Sequence, residues 1–221
     1  MHVVLWFLVM ILVTSEPVSA GAWLREKGTG FLSVSTTARQ AHDTVGYETS
    51  IYSEYGLTQN MTIGVDLNQN QHFFGHTLVF ARFPLARTPG KNRFALELGL
   101  GGSSDSTGWS AMQKVTLSFG RGFDSRFGPG WMSLDLATEL RDTAPKQIMK
   151  FDATVGLSGA RRLQPMLQIE TSKIDGKPLF WSVTPSLRYR DKGDRTWLFG
   201  IEHKEADKRF LGAKIGLWKA F

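Results

Sequence analysis

The ionisable residues of this chain fall into rows along it, not into a cluster. The carboxylates Glu48, Glu54, Asp66, Glu97, Asp135, Glu139, Asp152, Glu170 and Glu202 alternate with apolar neighbours, and so do the cations Arg82, Lys114, Lys150, Arg188, Arg190, Lys204 and Lys214. Residues at period two share one face of an extended chain. The chemistry such rows can do is that of a charged wall: pairing with each other, or attracting and sorting small hydrophilic solutes.

Other chemistries need patterns that are missing. The chain has 221 residues and no cysteine, which excludes disulfides, thiolate metal sites, cysteine nucleophiles and a lipid-modified cysteine. Past residue 20 the histidines are His42, His72, His76 and His203, and none is followed two positions later by serine, the spacing of lipid-active barrel enzymes. Asp66 and Asn68 share a face without completing an oxygen cage for a cation. Gly99-Leu100-Gly101-Gly102 leads into a polar loop and no helix, so it is no phosphate cradle. The expectation is a protein that is not an enzyme and carries no metal or cofactor.

The elements that position the rows read as strands. Met61, Ile63, Val65 and Leu67 alternate with Thr62, Gly64, Asp66 and Asn68. The pattern returns in Phe94, Leu96, Leu98 and Leu100, in Met132, Leu134 and Leu136, and in Met149, Phe151, Ala153, Val155 and Leu157. Twelve strands are predicted, at 29–38, 46–57, 60–68, 73–83, 93–101, 111–120, 131–140, 147–158, 163–172, 179–190, 196–204 and 210–221. Short connections, with turn signals at Asp175-Gly176, Gly128-Pro129-Gly130 and Thr88-Pro89-Gly90, make them consecutive hairpins. In the fourth strand Leu78 and Phe80 fall on the otherwise polar face.

Val3 to Val13 is an apolar run too short to span a bilayer, and Val18-Ser19-Ala20 supplies the small residues of a signal-peptidase site. Residues 1–20 are expected to be an export signal cut after Ala20, although the leading segment carries only His2 and no Lys or Arg. Residues 21–221 would form one domain.

Two assignments of the faces are open. With the apolar rows inside, the chain would be a soluble β-sandwich or a small barrel. Twelve strands, however, cannot close round such a core without a void. With the apolar rows facing lipid and the charged rows enclosed, it is an all-β, closed, antiparallel, up-and-down transmembrane barrel. About ten residues per strand, tilted near 40°, cover the apolar band of about 25 Å. Tyr55, Phe83, Phe94, Phe119, Tyr189, Trp197 and Phe221 would lie at one rim, and Tyr47, Phe73 and Trp181 toward the other, as interfacial aromatics do.

The last strand carries the most specific motif. Leu211, Ala213, Ile215 and Leu217 alternate down to a terminal Phe221. This resembles the C-terminal assembly signal of Gram-negative outer-membrane β-barrel proteins. The resemblance implies the barrel-insertion machinery as a partner and the bacterial outer membrane as the destination. Lys219, beside Trp218, stands where that signal usually has an aromatic or apolar residue. Tyr55-Gly56-Leu57-Thr58 and Met61-Thr62-Ile63-Gly64-Val65 also resemble a hairpin of proteobacterial barrels such as those named after the phenol meta-cleavage pathway, which brings no activity with it.

The net charge is +6. If the first strand starts in the periplasm, the periplasmic turns and termini hold most of the excess, in Arg25, Lys27, Arg87, Lys91, Arg93, Arg121, Arg126, Arg161, Arg162, Lys192, Arg195 and Lys219. Such a rim suits anionic lipid headgroups; it also serves plain solubility. Nucleic acid is not an expected partner of an exported chain. The enclosed rows admit two functional readings: a narrow pore for small hydrophilic solutes, or a salt-bridged barrel that conducts nothing and anchors a partner at the basic rim.

Overall fold

The computed structural model describes residues 21–41, 44–86, 90–142 and 144–221. The predicted export signal, His42 and part of the Thr88-Pro89-Gly90 turn lie outside them.

Alternation with almost no helix-compatible spacing leaves the backbone one way to satisfy its polar groups: lateral pairing. The twelve strands are β1 (Gly30–Ala41), β2 (Thr44–Thr58), β3 (Met61–Asn70), β4 (Gly75–Ala86), β5 (Asn92–Asp105), β6 (Gly108–Ser125), β7 (Gly128–Arg141), β8 (Ala144–Leu157), β9 (Leu163–Ile174), β10 (Phe180–Arg190), β11 (Arg195–Glu205) and β12 (Arg209–Ala220). Each pairs antiparallel with its neighbours in sequence, and β1 also pairs with β12, so the sheet closes on itself with no free edge.

Several strands outrun their alternating core. β6 extends well beyond 111–120, and β1 continues through Arg39 to Ala41. Beyond the apolar band nothing enforces a change of polarity at each residue, so the pattern ends before the ladder does. At β4 the correction runs the other way. The strand begins at Gly75, and Phe73 belongs to the preceding turn, at a φ of 61° and largely exposed.

The faces divide as the transmembrane reading requires. Val79, Leu100, Ile201 and Leu211 are each more than 60 % exposed on the outside, whereas Glu54, Arg82, Glu139, Arg188 and Glu202 are buried inside. Phe94 and Phe119 meet at 5.1 Å near the end that carries the termini. Tyr55 and Phe221 are exposed at that end, and Tyr47 at the other.

The interior is not wholly polar. Trp131, Met166 and Leu198 form a buried apolar cluster, with Trp23 and Trp218 packed against it. Leu78 and Phe80, the two residues out of pattern on β4, also point inward and are buried. The bare Cα of Gly64 on β3 accepts the Phe80 ring, and that of Gly156 on β8 accepts Trp131. These inward glycines are sockets for large side chains rather than openings in the lumen.

Candidate functional site: the barrel lumen

Burying a charge costs several kcal/mol unless a partner and hydrogen bonds offset it, on the order of 3–5 kcal/mol when one partner is removed. The lumen meets that demand in layers. Near the termini end, Arg82 of β4 donates to Glu54 Oε2 of β2 at 2.8 Å, to Glu97 Oε2 of β5 at 2.6 Å, and to the Tyr52 hydroxyl at 2.6 Å. Tyr52 in turn donates to Glu54 at 2.9 Å, and its ring stacks on Phe80 at 5.5 Å. One guanidinium thereby ties β4 to its neighbour β5 and, across β3, to β2.

Toward the opposite end, Arg39 of β1 holds Glu202 of β11 through two nitrogens, one of them at 2.9 Å, and Glu48 of β2 at 3.0 Å. β12 lies between β1 and β11. The contact passes over Gly212, where a side chain would press on both Arg39 and Glu202. Asn68 completes the group by donating to Glu48 at 3.0 Å and Ser50 at 2.8 Å. Asp66 faces His76 and Lys114, each at 3.4 Å, and Glu139 is flanked by Lys150 and Arg141, each at 2.6 Å.

Between these layers lies a cavity of about 310 Å³, at the low end of the roughly 300–1,000 Å³ typical of small-molecule sites. Its wall includes Arg82, Glu97, Lys114, Asp135, Asp152, Glu170 and Lys214. Of the other sequence-predicted residues, Glu48, Glu54, Asp66, Glu139, Lys150 and Glu202 face inward in the ion-pair groups above. Arg188 lies inward between the rings of Trp131 (5.6 Å) and Trp218 (5.5 Å) and donates to the Leu157 carbonyl. Arg190 and Lys204 share the inward parity of their strands, in line with buried Arg188 and Glu202.

The carboxylates are not evenly matched. Asp135 of β7 stands directly opposite Asp152 of β8, and Asp152 directly opposite Glu170 of β9. Lys150, two positions from Asp152, is engaged by Glu139. Glu170 accepts from the Ser182 hydroxyl at 3.2 Å, and Lys214 reaches Gln168 at 3.4 Å. One wall of the cavity is therefore an acidic ladder.

Sequence reasoning missed two participants. Arg39 fell past the predicted end of the first strand, although it shares the parity of Ser33, Ser35 and Thr37. Arg25 was assigned to the rim. It is turned inward instead: it pairs with Glu54, lies 4.7 Å from the Phe31 ring, and its backbone N–H donates to Thr62 Oγ1 at 2.9 Å. It belongs to a segment, residues 21–28, that folds across the termini end of the barrel. Trp23 meets Trp131 edge-on at 6.5 Å, Ala22 is buried, and Gly28 N–H donates to the Gly56 carbonyl at 2.9 Å. Spacing alone carries no signal for this insertion, since Trp23 and Trp131 are remote in the chain.

No protein-family model matches the sequence, and no curated protein matches it. Solved structures with a similar fold do. The NanC porin is 13 % identical with a TM-score of 0.58, over 84 % of this chain and 98 % of that one. The KdgM porin is 12 % identical with a TM-score of 0.58, over 86 % and 99 %. The KdgM porin in complex with disordered oligogalacturonate is 10 % identical with a TM-score of 0.62, again over 86 % and 99 %. At these identities the likeness is one of fold: this chain is a closed, twelve-stranded, antiparallel barrel similar in fold to those porins.

Proposed function

We propose that this protein is a channel of the bacterial outer membrane, giving passive passage to small hydrophilic solutes through a narrow lumen. The observation that carries the reading is the central cavity of about 310 Å³, lined by charges of both signs inside a barrel whose outer face is apolar. The similar folds of the two porins support it. On this reading the chain is exported and cut after Ala20. The exposed row Leu211, Ala213 and Ile215, with Leu217 and the terminal Phe221, is the signal taken by the insertion machinery. The basic turns at the termini end face the anionic lipids of the inner leaflet.

A second reading, a non-conducting barrel, draws on a specific observation: residues 21–28 and the Arg82 group occupy the termini end of the lumen. Planar-bilayer recording of refolded protein separates the two. The channel reading expects discrete conductance steps, larger once residues 21–28 are removed. Silence from both proteins would leave the non-conducting barrel.

A further inference from the structure

Gly21 is buried inside the barrel against β7. Its φ is +82°, and a Cβ added there would strike Ser133 Oγ and lie 2.8 and 3.1 Å from the two carboxylate oxygens of Asp135. Its α-nitrogen is bonded to the same Cα, which sets it within about 5.5 Å of that carboxylate. Asp135 is incompletely served by its other neighbours: Oδ2 accepts from the Ser133 hydroxyl at 3.2 Å, and the Ser118 hydroxyl and Arg82 guanidinium also act on it, but buried Oδ1 has no hydrogen-bond partner among the described residues. Asp135 is also the end of the like-charge ladder with Asp152 and Glu170. Like charges directly opposite on neighbouring strands are unfavourable, and the cation that acts on Asp135, Arg82, is already held by Glu54 and Glu97.

We propose that Asp135 is the receptor for the chain's own mature N-terminus: cleavage after Ala20 leaves an ammonium on Gly21, and that ammonium pairs with the Asp135 carboxylate. The inference rests on the cut after Ala20 and deepens the channel reading, because it links processing to the charge of the lumen. An uncut chain has a neutral amide at this point and leaves Asp135 without that cation. Peptide hydrolysis supplies the cation directly, with the new amine taking up a proton at neutral pH. Trp23 on Trp131 and Arg25 on Glu54 hold the segment so that its first residue reaches Asp135. Glycine is the residue that fits, having no Cβ to strike Ser133.

The test uses residues 21–221 refolded with Gly21 first, an amine-reactive reagent, and mass spectrometry of the N-terminal peptide across pH. Pairing raises the midpoint of labelling by about one unit above the ordinary α-amino range of roughly 7.7–8.0, a tenfold loss of reactivity near neutrality. Asp135→Asn returns the midpoint to the ordinary range, and Asp152→Asn lowers it in part. Burial without pairing would slow labelling equally in all three proteins, and a midpoint that neither variant moves overturns the proposal. Asp152→Asn keeps the test decisive should Asp135→Asn fail to fold. N-terminal sequencing of the protein from outer membranes judges the cut by itself. Another first residue there would refute the cut, while the labelling still judges the pairing.

Discussion

Gly30 and Phe221 exchange both of their backbone hydrogen bonds, Gly30 N–H to the Phe221 carbonyl at 2.6 Å and Phe221 N–H to the Gly30 carbonyl at 3.0 Å, and so fasten the first strand to the last residue. The Phe221 ring covers Gly30 in the space a side chain would need. The terminal aromatic thus also closes the seam of the barrel, in addition to the assembly role proposed for it. Gly30→Val forces that exposed ring away and is expected to cost up to about 1 kcal/mol, below the range of overpacking in a closed core. Thermal scans of the refolded barrel, read by heat-modifiable gel mobility, check this. An unchanged transition would mean that the ring carries no part of the closure.

Removing one cation from the densest ion-pair group exposes what it offsets. Arg82→Met leaves Glu54, which is 1 % exposed, with Arg25 as its remaining cation, and takes the ion-pair partner from Glu97. A loss of about 3–5 kcal/mol is expected. Glu97→Gln is expected to cost less, because Glu54 still holds both Arg82 and Arg25. Denaturant unfolding of the two variants in lipid vesicles gives the comparison.

The acidic ladder makes the conducting reading specific about charge. If solutes pass the cavity, Asp152→Asn and Glu170→Gln should each lower the preference for cations over anions. Reversal potentials under a salt gradient measure it, and a preference unaltered in both variants would remove the ladder from the path.

One turn outside the strands gives a pH dependence. Desolvation alone would raise the Asp191 carboxyl, but the N–H groups of Gly193 (2.7 Å) and Arg195 (3.1 Å) and the Arg195 guanidinium (2.9 Å) together hold it below the ordinary carboxylate range. A lowered folded value contributes stability above the unfolded value, about 3.9, and loses it as pH falls toward the folded one. Asp191→Ala should therefore melt slightly below the parent chain at pH 7, and the gap should close below about pH 4. A gap that persists in acid would assign the effect to the shape of the turn.

Much of the fold was legible because membrane and lumen impose opposite demands on successive residues. Met61 to Asn68 states its faces residue by residue, and the parity of Glu54, Arg82 and Glu202 is the parity the barrel uses. What stayed hidden was of two kinds. Alternation assumes one polarity per face, so Trp131, Met166 and Leu198 went unnoticed inside a wall read as charged, and only Leu78 and Phe80 stood out as breaks in the pattern. The other kind is tertiary. Arg39 reaches Glu202 across β12 because Gly212 leaves the way clear, and residues 21–28 enter the lumen because Trp131 and Glu54 receive Trp23 and Arg25. No local spacing encodes either.

The central claim concerns which face meets hydrocarbon, and the lack of native cysteine permits a clean measurement of it. Single cysteines at the outward positions Val65, Val79, Leu98 and Phe199 and at the inward positions Thr116, Ser133 and Thr184 are labelled with a fluorophore and refolded into vesicles with brominated acyl chains. Strong quenching at the first four and little at the last three is the predicted result. Quenching at the inward set, or none at either set in a protein that stays monomeric in plain buffer, would contradict the account.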